Sequence, residues 1–319
     1  MNNKHHLKPF CFFLATIIVV HVALALFFLN KFSKGDLYTD ETKVFNPTKP
    51  YNYLFVGDSH CQKGVDTSIV KQAIKWTGGG ENNIVRYYKI KHLLTNAKPP
   101  KYLLLSSDLT TYTSTTANYM RNYFYYNRFV DFNEWGQIRG DKWATLTNAY
   151  KYKLFPYIET RDIYLRTTEN LLLKEQKKQT YTIAQKTPAQ NQQQATDFVE
   201  NTMLSKNSTT ASLYDTVALV YLKKTLDLCA QYQIKVLFVK YPLSNYLIKA
   251  FETKVGANQI TQLPAHRLIE QYPNASILNY EQIFVNNNQY FADCQHLNPA
   301  GATAFSTILQ HDLQNLPQN

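Results

Sequence analysis

The stretch "YNYLFVGDSHCQKGVD", residues 51–66, decides how the rest of the chain is interpreted. Residues 53–56 form a short apolar run that is typical of a strand buried on both faces, and Gly-Asp-Ser-His, residues 57–60, follows it directly. Glycine, aspartate and serine all favour turns, so a plain turn explains the tetrapeptide. A hydroxyl nucleophile raised at the end of a strand explains it too, and only the far end of the chain separates the two interpretations.

Similar apolar runs recur along the chain, and segments with helical patterns lie between them. The strand-like runs are residues 53–56, 102–106, 234–240 and 275–279, and the helical candidates are residues 68–76, 85–94, 213–232 and 300–313. This alternation indicates an α/β domain, a three-layer sandwich with a mostly parallel sheet. Ligand sites in such sheets lie beyond the carboxyl ends of the strands, which is where residues 57–60 fall.

Residues 111–212 break the alternation, and we interpret them as a large insertion. Its aromatic part, residues 118–129, is predicted to pack on the core or, alternatively, to line a contact with a sugar or a membrane. Its glutamine-rich part, residues 175–198, is low in complexity and is predicted to be solvated or mobile.

The N-terminal segment "FCFFLATIIVVHVALALFFL", residues 10–29, is long and apolar enough to cross a bilayer as a helix. A cleaved signal peptide is the alternative, but its apolar region is shorter and ends at a small-residue cleavage site. Lysines on the two sides are nearly balanced, so the N-terminal position of the segment decides the predicted orientation. The prediction is a cytoplasmic N-terminus, a membrane anchor, a linker and an extracytoplasmic α/β domain, at residues 1–9, 10–30, 31–50 and 51–319.

The chain is basic, with 34 lysines and arginines against 23 aspartates and glutamates and a net charge of +11. Such a surface suits an anionic neighbour, such as a membrane face, a polyanionic glycan or nucleic acid. The sequence contains no zinc-finger spacing, dinucleotide-binding fingerprint or RNA-binding aromatic pattern, so we predict no nucleic-acid partner.

A second stretch, "QYFADCQHLNPAGATAFSTIL" at residues 289–309, carries an aspartate and a histidine three residues apart. An Asn-Pro pair follows, and because asparagine caps helices and proline begins them, a helix is predicted to start there. Asp293 can then fold back onto the imidazole of His296 and fix its tautomer. A hydroxyl nucleophile needs a base, and the base needs an orienting acceptor, so Ser59, His296 and Asp293 form a candidate catalytic triad.

The two stretches resemble the first and last sequence blocks of the SGNH/GDSL hydrolase superfamily, through "VGDSH" and "DCQHLNPAGATAFS". The resemblance implies an SGNH-like fold in which Ser59 is the nucleophile and Asp293 and His296 complete the triad, without a cofactor. The anchor and the insertion are more similar to a membrane-anchored branch associated with O-acylation of cell-wall polymers or exopolysaccharides. That branch implies an acylated glycan or another acyl-ester substrate, and a multi-spanning membrane O-acyltransferase as a partner.

The resemblance is weakest at the oxyanion hole, which in the superfamily uses the N–H of the nucleophile, a glycine of the second block and an asparagine of the third. Gly80, in a run of three glycines, is the candidate second donor, although the run is also explained as a flexible loop or a helix end. The third block lacks the asparagine, so Ser107 or a backbone N–H would replace it, since Asp108 is a poor donor. Asp58 and His60 are further candidates for oxyanion or substrate contacts, with His60 at the rim of the site.

Asp58 and His60 also match the Asp-x-His start of a metallophosphoesterase signature. That signature needs a later Gly-Asn-His segment, which the sequence lacks, so we predict no metal site.

Two cysteines adjoin the predicted triad. Cys61 follows Ser59 by two residues and Cys294 follows Asp293 directly, so a folded triad brings both thiols into one neighbourhood. A disulfide is permitted outside the cytosol, and two unpaired thiols are the alternative.

Three functions fit these features. The first is an extracytoplasmic serine acyltransferase, or an accessory to one, that acts on O-acyl groups of a cell-surface polysaccharide. The second is an esterase or deacetylase of the same fold, and the third is a non-catalytic glycan-binding or scaffolding module.

Overall fold

The computed structural model describes residues 4–32, 36–113, 123–155, 187–203, 214–256 and 263–316. Its strands are β1 Tyr53–Gly57, β2 Ala73–Thr77, β3 Tyr102–Ser106, β4 Lys235–Lys240 and β5 Ala275–Asn279. They form one parallel sheet in the order β2-β1-β3-β4-β5. The predicted α/β class is confirmed, and β1, β3, β4 and β5 lie where the apolar runs predict them.

Helices connect the strands and occupy the described parts of the long segment between β3 and β4. They are α1 Lys4–Phe32, α2 Asp36–Phe45, α3 Ser59–Gly64, α4 Asn83–Asn96, α5 Tyr123–Tyr126, α6 Phe132–Arg139, α7 Lys142–Leu154, α8 Pro188–Phe198, α9 Thr216–Gln231, α10 Asn245–Lys254, α11 Pro264–Ile269 and α12 Pro299–Gln314. The helices predicted over residues 85–94, 213–232 and 300–313 are confirmed as α4, α9 and α12.

The structure has β2 where the sequence predicts a helix over residues 68–76, so that prediction is wrong. The carboxylate of Asp66 accepts both the N–H and the hydroxyl of Ser68, which forms a turn at the start of the segment. Gln72 then adopts a left-handed φ of 55°, and Ala73 pairs with Tyr53 of β1. Pairing with a neighbouring strand outweighs local helical preference here.

The middle strands β1, β3 and β4 are almost completely buried, as predicted. On one face of the sheet, Phe55, Leu104 and Val239 pack with Phe305 and Leu309 of α12. Side chains alternate along a strand, and those that point to the opposite face are buried as well: Leu54, Val56, Leu103, Leu105 and Phe238. Both faces are therefore covered. β5 is an edge strand that is only partly buried, which corrects the prediction of a fully buried run.

The chain divides into two compact units. One comprises Met1–Thr39, Asn122–Arg128 and Phe132–Ile183 and includes α1, α5, α6 and α7, whereas the sheet belongs to the other. The predicted insertion is thus divided between the units. Its aromatic part is described from residue 123 onward, where Tyr125 and Tyr126 are buried, and its packing on the core stays a prediction.

Part of the glutamine-rich segment is a regular helix, which corrects the prediction of a solvated or mobile stretch. α8 begins with a capping box in which Thr187 and Gln190 bond each other's backbone. Its Ala195 is completely buried, and the helix packs against α10. Residues 175–186 lie outside the described residues.

α1 contains one stretch, Pro9–Phe27, that is long and apolar enough to cross a membrane, with a mean hydropathy of 2.7. None of this stretch is buried within the protein. The predicted linker contains the helix α2, whose Val44 is buried.

Candidate active site

A sharp turn carries Ser59 at the end of β1. A Cβ at Gly57 would lie 2.1 Å from the Oγ of Ser106, so only glycine fits there. The carboxylate of Asp58 accepts the backbone N–H of His60 at 3.1 Å and caps α3. Ser59 is the first residue of that helix, so it stands at the carboxyl edge of the sheet.

A closed loop before α12 holds the other two members of the predicted triad. The backbone N–H of Ala292 donates to the carbonyl of His296 at 2.8 Å, and the N–H of Asn298 donates to Tyr290 at 2.9 Å. Asn298 caps α12 by accepting the N–H of Gly301, at 2.9 Å, as the Asn-Pro pair predicts. A Cβ at Gly301 would lie 2.2 Å from the carbonyl oxygen of Tyr290, so the close approach of loop and helix requires glycine.

Ser59, His296 and Asp293 are in contact. The Nε2 of His296 lies 2.9 Å from the Oγ of Ser59, and its Nδ1 lies 2.9 and 3.0 Å from the two carboxylate oxygens of Asp293. An ionised carboxylate only accepts hydrogen bonds, so Nδ1 carries the proton. Nε2 is then free to accept the proton of the Ser59 hydroxyl.

Asp293 is held in its charged form. Besides the imidazole, its Oδ1 accepts the backbone N–H groups of Gln295 and His296, both at 2.8 Å. Burial alone would raise the pKa of Asp293, but the hydrogen bonds from the His296 ring and from these N–H groups outweigh it and hold the pKa well below its usual range. The carboxylate therefore orients the ring and can stabilise an imidazolium next to Ser59.

Arg86 of α4, which the sequence reasoning did not single out, connects the ends of three strands. Its buried guanidinium donates to the carboxylate of Asp58 at 3.2 Å, to the carbonyl of Ser106 at 2.8 Å and to the carbonyl of Glu81 at 3.1 Å. Through Asp58 it fixes the start of α3 and so the position of Ser59. The available sequence signal is a lone arginine within the apolar pattern of the predicted helix.

A second Asp–His pair lies beside the first. The Nδ1 of His60 is 3.0 Å from the Oδ2 of Asp108, whose Oδ1 accepts the backbone N–H of Tyr241 at 3.0 Å. The ring of His60 is buried, so the prediction that it stands at the rim is wrong, and its centre lies 5.3 Å from the ring centre of His296. Its Nε2 has no hydrogen-bond partner among the described residues.

His60 is positively charged at neutral pH. Burial alone would lower the pKa of His60, but the adjacent carboxylate of Asp108, with smaller contributions from Asp58 and Asp293, raises the pKa to about 9. The sequence reasoning also missed this fixed cation, because Asp108 was considered only as a replacement for an oxyanion donor.

The two remaining oxyanion candidates differ in their surroundings. Gly80 adopts a φ of 72° in the turn after β2, and this turn is tied to the nucleophile turn by a hydrogen bond from the N–H of Gly78 to the carbonyl of Gly57, at 3.0 Å. The N–H and the hydroxyl of Ser107 are both engaged in hydrogen bonds inside the protein. Its N–H donates to Val239, and its buried hydroxyl lies 2.9 Å from that of Tyr112, which does not favour the predicted oxyanion role.

Asp58, His60 and Asp108 are grouped closely enough to be considered as metal ligands, with their ligand atoms within 4.8 Å of one another. Arg86 already neutralises Asp58, however, and the raised pKa of His60 keeps its ring protonated. A further cation would face two positive charges, so the arrangement favours an internal ion-pair network.

The thiols of Cys61 and Cys294 are both buried, and no disulfide joins them. Burial raises the pKa of Cys61 to about 12, against smaller opposing effects from Tyr241 and Lys75, so this thiol stays protonated.

Comparison with known proteins adds little to this picture. The chain matches no family model and no curated protein. One similar solved structure is described as "a putative platelet activating factor from Streptococcus pneumonia", with 13% identity and a TM-score of 0.40 over 91% of this chain and 99% of that chain. Similarity at this level supports no argument about activity.

Proposed function

We propose that this chain transfers acyl groups through a covalent ester on Ser59. The observation that carries the proposal is the continuous set of contacts from Asp293 to His296 to Ser59, with distances of 2.9–3.0 Å. A hydroxyl, a base within hydrogen-bonding distance and an anion that orients the base are the parts that nucleophilic acyl transfer requires.

In the first half-reaction, the Oγ of Ser59 attacks the carbonyl carbon of an ester while its proton passes to the Nε2 of His296. Asp293 stabilises the resulting imidazolium. When the tetrahedral intermediate collapses, His296 gives the proton to the departing alcohol and the acyl group stays on Ser59. The backbone N–H groups of Ser59 and Gly80 are the expected donors to the oxyanion.

In the second half-reaction, an acceptor hydroxyl attacks the acyl carbon, His296 takes its proton, and Ser59 regains that proton as it leaves. A sugar hydroxyl as acceptor makes the chain a polysaccharide O-acyltransferase, and water makes it an esterase. The resemblance to the O-acylation branch and the net charge of +11 support an anionic glycan acceptor at the outer face of a cell membrane. A multi-spanning acyltransferase is the partner that would deliver the acyl group.

The test is labelling of the full chain in detergent with a fluorophosphonate probe, together with hydrolysis of an aryl acetate. We expect one labelled residue, Ser59, and we expect Ser59→Ala to lose the label and at least about a thousandfold of the turnover. Ser276→Ala, on the exposed edge strand, is the control and should retain both. Turnover that survives in Ser59→Ala contradicts the mechanism.

Transfer and hydrolysis are then distinguished by adding an acceptor glycan. Acyl transfer predicts that the mass of the glycan increases by one acyl group while free acid formation decreases. Unchanged acid formation at every glycan concentration favours the esterase.

A further inference from the structure

Helix α7 exposes a stripe of large side chains. Trp143 is 78% exposed, Tyr150 60% and Leu154 58%. They are spaced at i, i+7 and i+11 and so share one side of the helix. The buried residues Thr145 and Ala149 lie on the opposite side, which is the side that packs. The stripe is therefore not the packed face of the helix.

Lysines border this stripe on both sides. Helical spacing places Lys142 and Lys153 on one flank and Lys151 on the other. A stripe of tryptophan, tyrosine and leucine between lysines is typical of helices that lie in a membrane interface. Single exposed apolar residues need no explanation, but this combination at helical spacing does.

The position of α7 within its unit is an independent observation. Phe155, directly after α7, packs edge-on against His21 of α1, with ring centroids 5.1 Å apart. His21 lies inside the membrane-compatible stretch Pro9–Phe27, six residues before its end. At a rise of about 1.5 Å per residue, this contact is about 9 Å below that end. Interfacial helices bury their apolar faces by about 5–10 Å, so the depth fits.

We propose that α7 is a second membrane contact, which lies in the interface on the side of the bilayer where the chain continues after α1. Trp143, Tyr150 and Leu154 enter the boundary between headgroups and acyl chains, and the lysines reach the phosphates of anionic lipids. The occupant of this surface is the lipid bilayer itself. The proposal does not depend on the chemistry of Ser59.

Tryptophan fluorescence can test this contact directly, because Trp76 and Trp135 are fully buried whereas Trp143 is exposed. The full chain is reconstituted in vesicles of phosphatidylcholine and phosphatidylglycerol, with or without bromine on the acyl chains. We expect brominated lipid to quench roughly a third of the emission, since Trp143 is one of three tryptophans and interfacial indoles contact acyl chains. In Trp143→Phe, which keeps an aromatic ring, that quenchable fraction should disappear.

Charge variants test whether the lysines of α7 bind anionic lipid or whether α7 is near the bilayer only because α1 anchors the chain. Lys142→Gln, Lys151→Gln and Lys153→Gln together should reduce the quenching in anionic vesicles, because each lysine near the surface contributes to binding. The matched control removes three exposed lysines of the other unit, at Lys71, Lys98 and Lys101, and should leave the quenching unchanged.

Two results would overturn the proposal. One is equal emission in brominated and unbrominated vesicles for the natural chain. The other is quenching of Trp143 by aqueous iodide that is as strong in vesicles as the quenching of free tryptophan in the same buffer, because it would place the stripe in water.

Discussion

Two aspartate–histidine pairs stand beside Ser59, and they differ in almost everything except their bond length. Asp293 and His296 are three residues apart in one loop, their side chains are 26% and 15% exposed, and the ring reaches Ser59. Asp108 and His60 are 48 residues apart, their side chains are 2% and 6% exposed, and the ring makes no bond to the serine hydroxyl in the structure.

The difference shows how environment assigns roles to identical groups. The partly exposed ring can exchange a proton with Ser59 and with a bound alcohol, so its pair suits proton transfer. The buried ring is enclosed by carboxylates and keeps its proton, so its pair suits a fixed positive charge. We therefore expect substitutions in the first pair to lower turnover. Substitutions in the second pair should mainly lower the free energy of unfolding.

Replacement of His296 by alanine should have the largest effect. We expect turnover to fall by roughly a millionfold, as it does when the base of a serine triad is removed, because Ser59 then has no proton acceptor. The thermal midpoint should change by less than about 4 °C, since the ring is partly exposed. Steady-state kinetics and calorimetry check the two statements. A much larger decrease in the thermal midpoint would show that the Asp293–His296 pair mainly stabilises the fold.

Asp293→Asn should lower turnover by about ten-thousandfold with the fold intact, because an amide that donates to Nδ1 leaves Nε2 protonated and unable to act as a base. The control is Asp227→Asn, which alters an exposed carboxylate that pairs with Lys223 on the surface. Comparable losses in the two variants would show that the effect comes from charge alone, without a role for the tautomer.

Much of the first pair, and little of the second, could be predicted from the sequence. Asp293 and His296 are close in the chain, and the Asn-Pro helix start places them in a loop, so their contact follows from local rules. Asp108 meets His60 only because β3 lies next to β1, and Arg86 bonds Asp58 and the carbonyl of Ser106 only because α4 covers both strand ends. Those contacts depend on topology, as does β2, whose pairing with β1 overrides a helical pattern.

Asp108→Asn should have the opposite effect to His296→Ala, with a large loss of stability and a small loss of turnover. Loss of one partner of a buried pair typically costs about 3–5 kcal/mol, because the charge of His60 is left uncompensated. We expect a decrease of that size in the free energy of unfolding, measured with denaturant, and a loss of turnover of only about 10–100-fold. The double variant with His60→Gln should be less destabilised than Asp108→Asn alone. An additive loss would contradict the pairing.

Stability should also fall as the pH rises through about 9, the pKa of His60. Because this pKa is raised above the ordinary 6.5, the stabilisation is fully present below pH 6.5 and is lost at alkaline pH. The expected loss is on the order of 2–3 kcal/mol between pH 7 and 10, and it should be absent in His60→Gln. Cys61, with a pKa raised by burial to about 12, stays neutral over this range. If the free energy of unfolding depends on pH in the same way in the unsubstituted chain and in His60→Gln, the buried imidazolium is contradicted.

Ser107→Ala should have the smallest effect, and it tests whether the third strand contributes a donor to the oxyanion. The hydroxyl of Ser107 bonds that of Tyr112 in the core, so turnover should change by less than about threefold, against the roughly 10²–10³-fold loss that removal of an oxyanion donor causes. Tyr112→Phe removes the same hydrogen bond from its other end. Each of the two variants should lower the free energy of unfolding by ~1 kcal/mol. A hundredfold loss in Ser107→Ala alone would mean that the serine turns toward the substrate during the reaction. The end of β3 would then serve the chemistry directly, and the division between a catalytic pair and a structural pair would no longer hold.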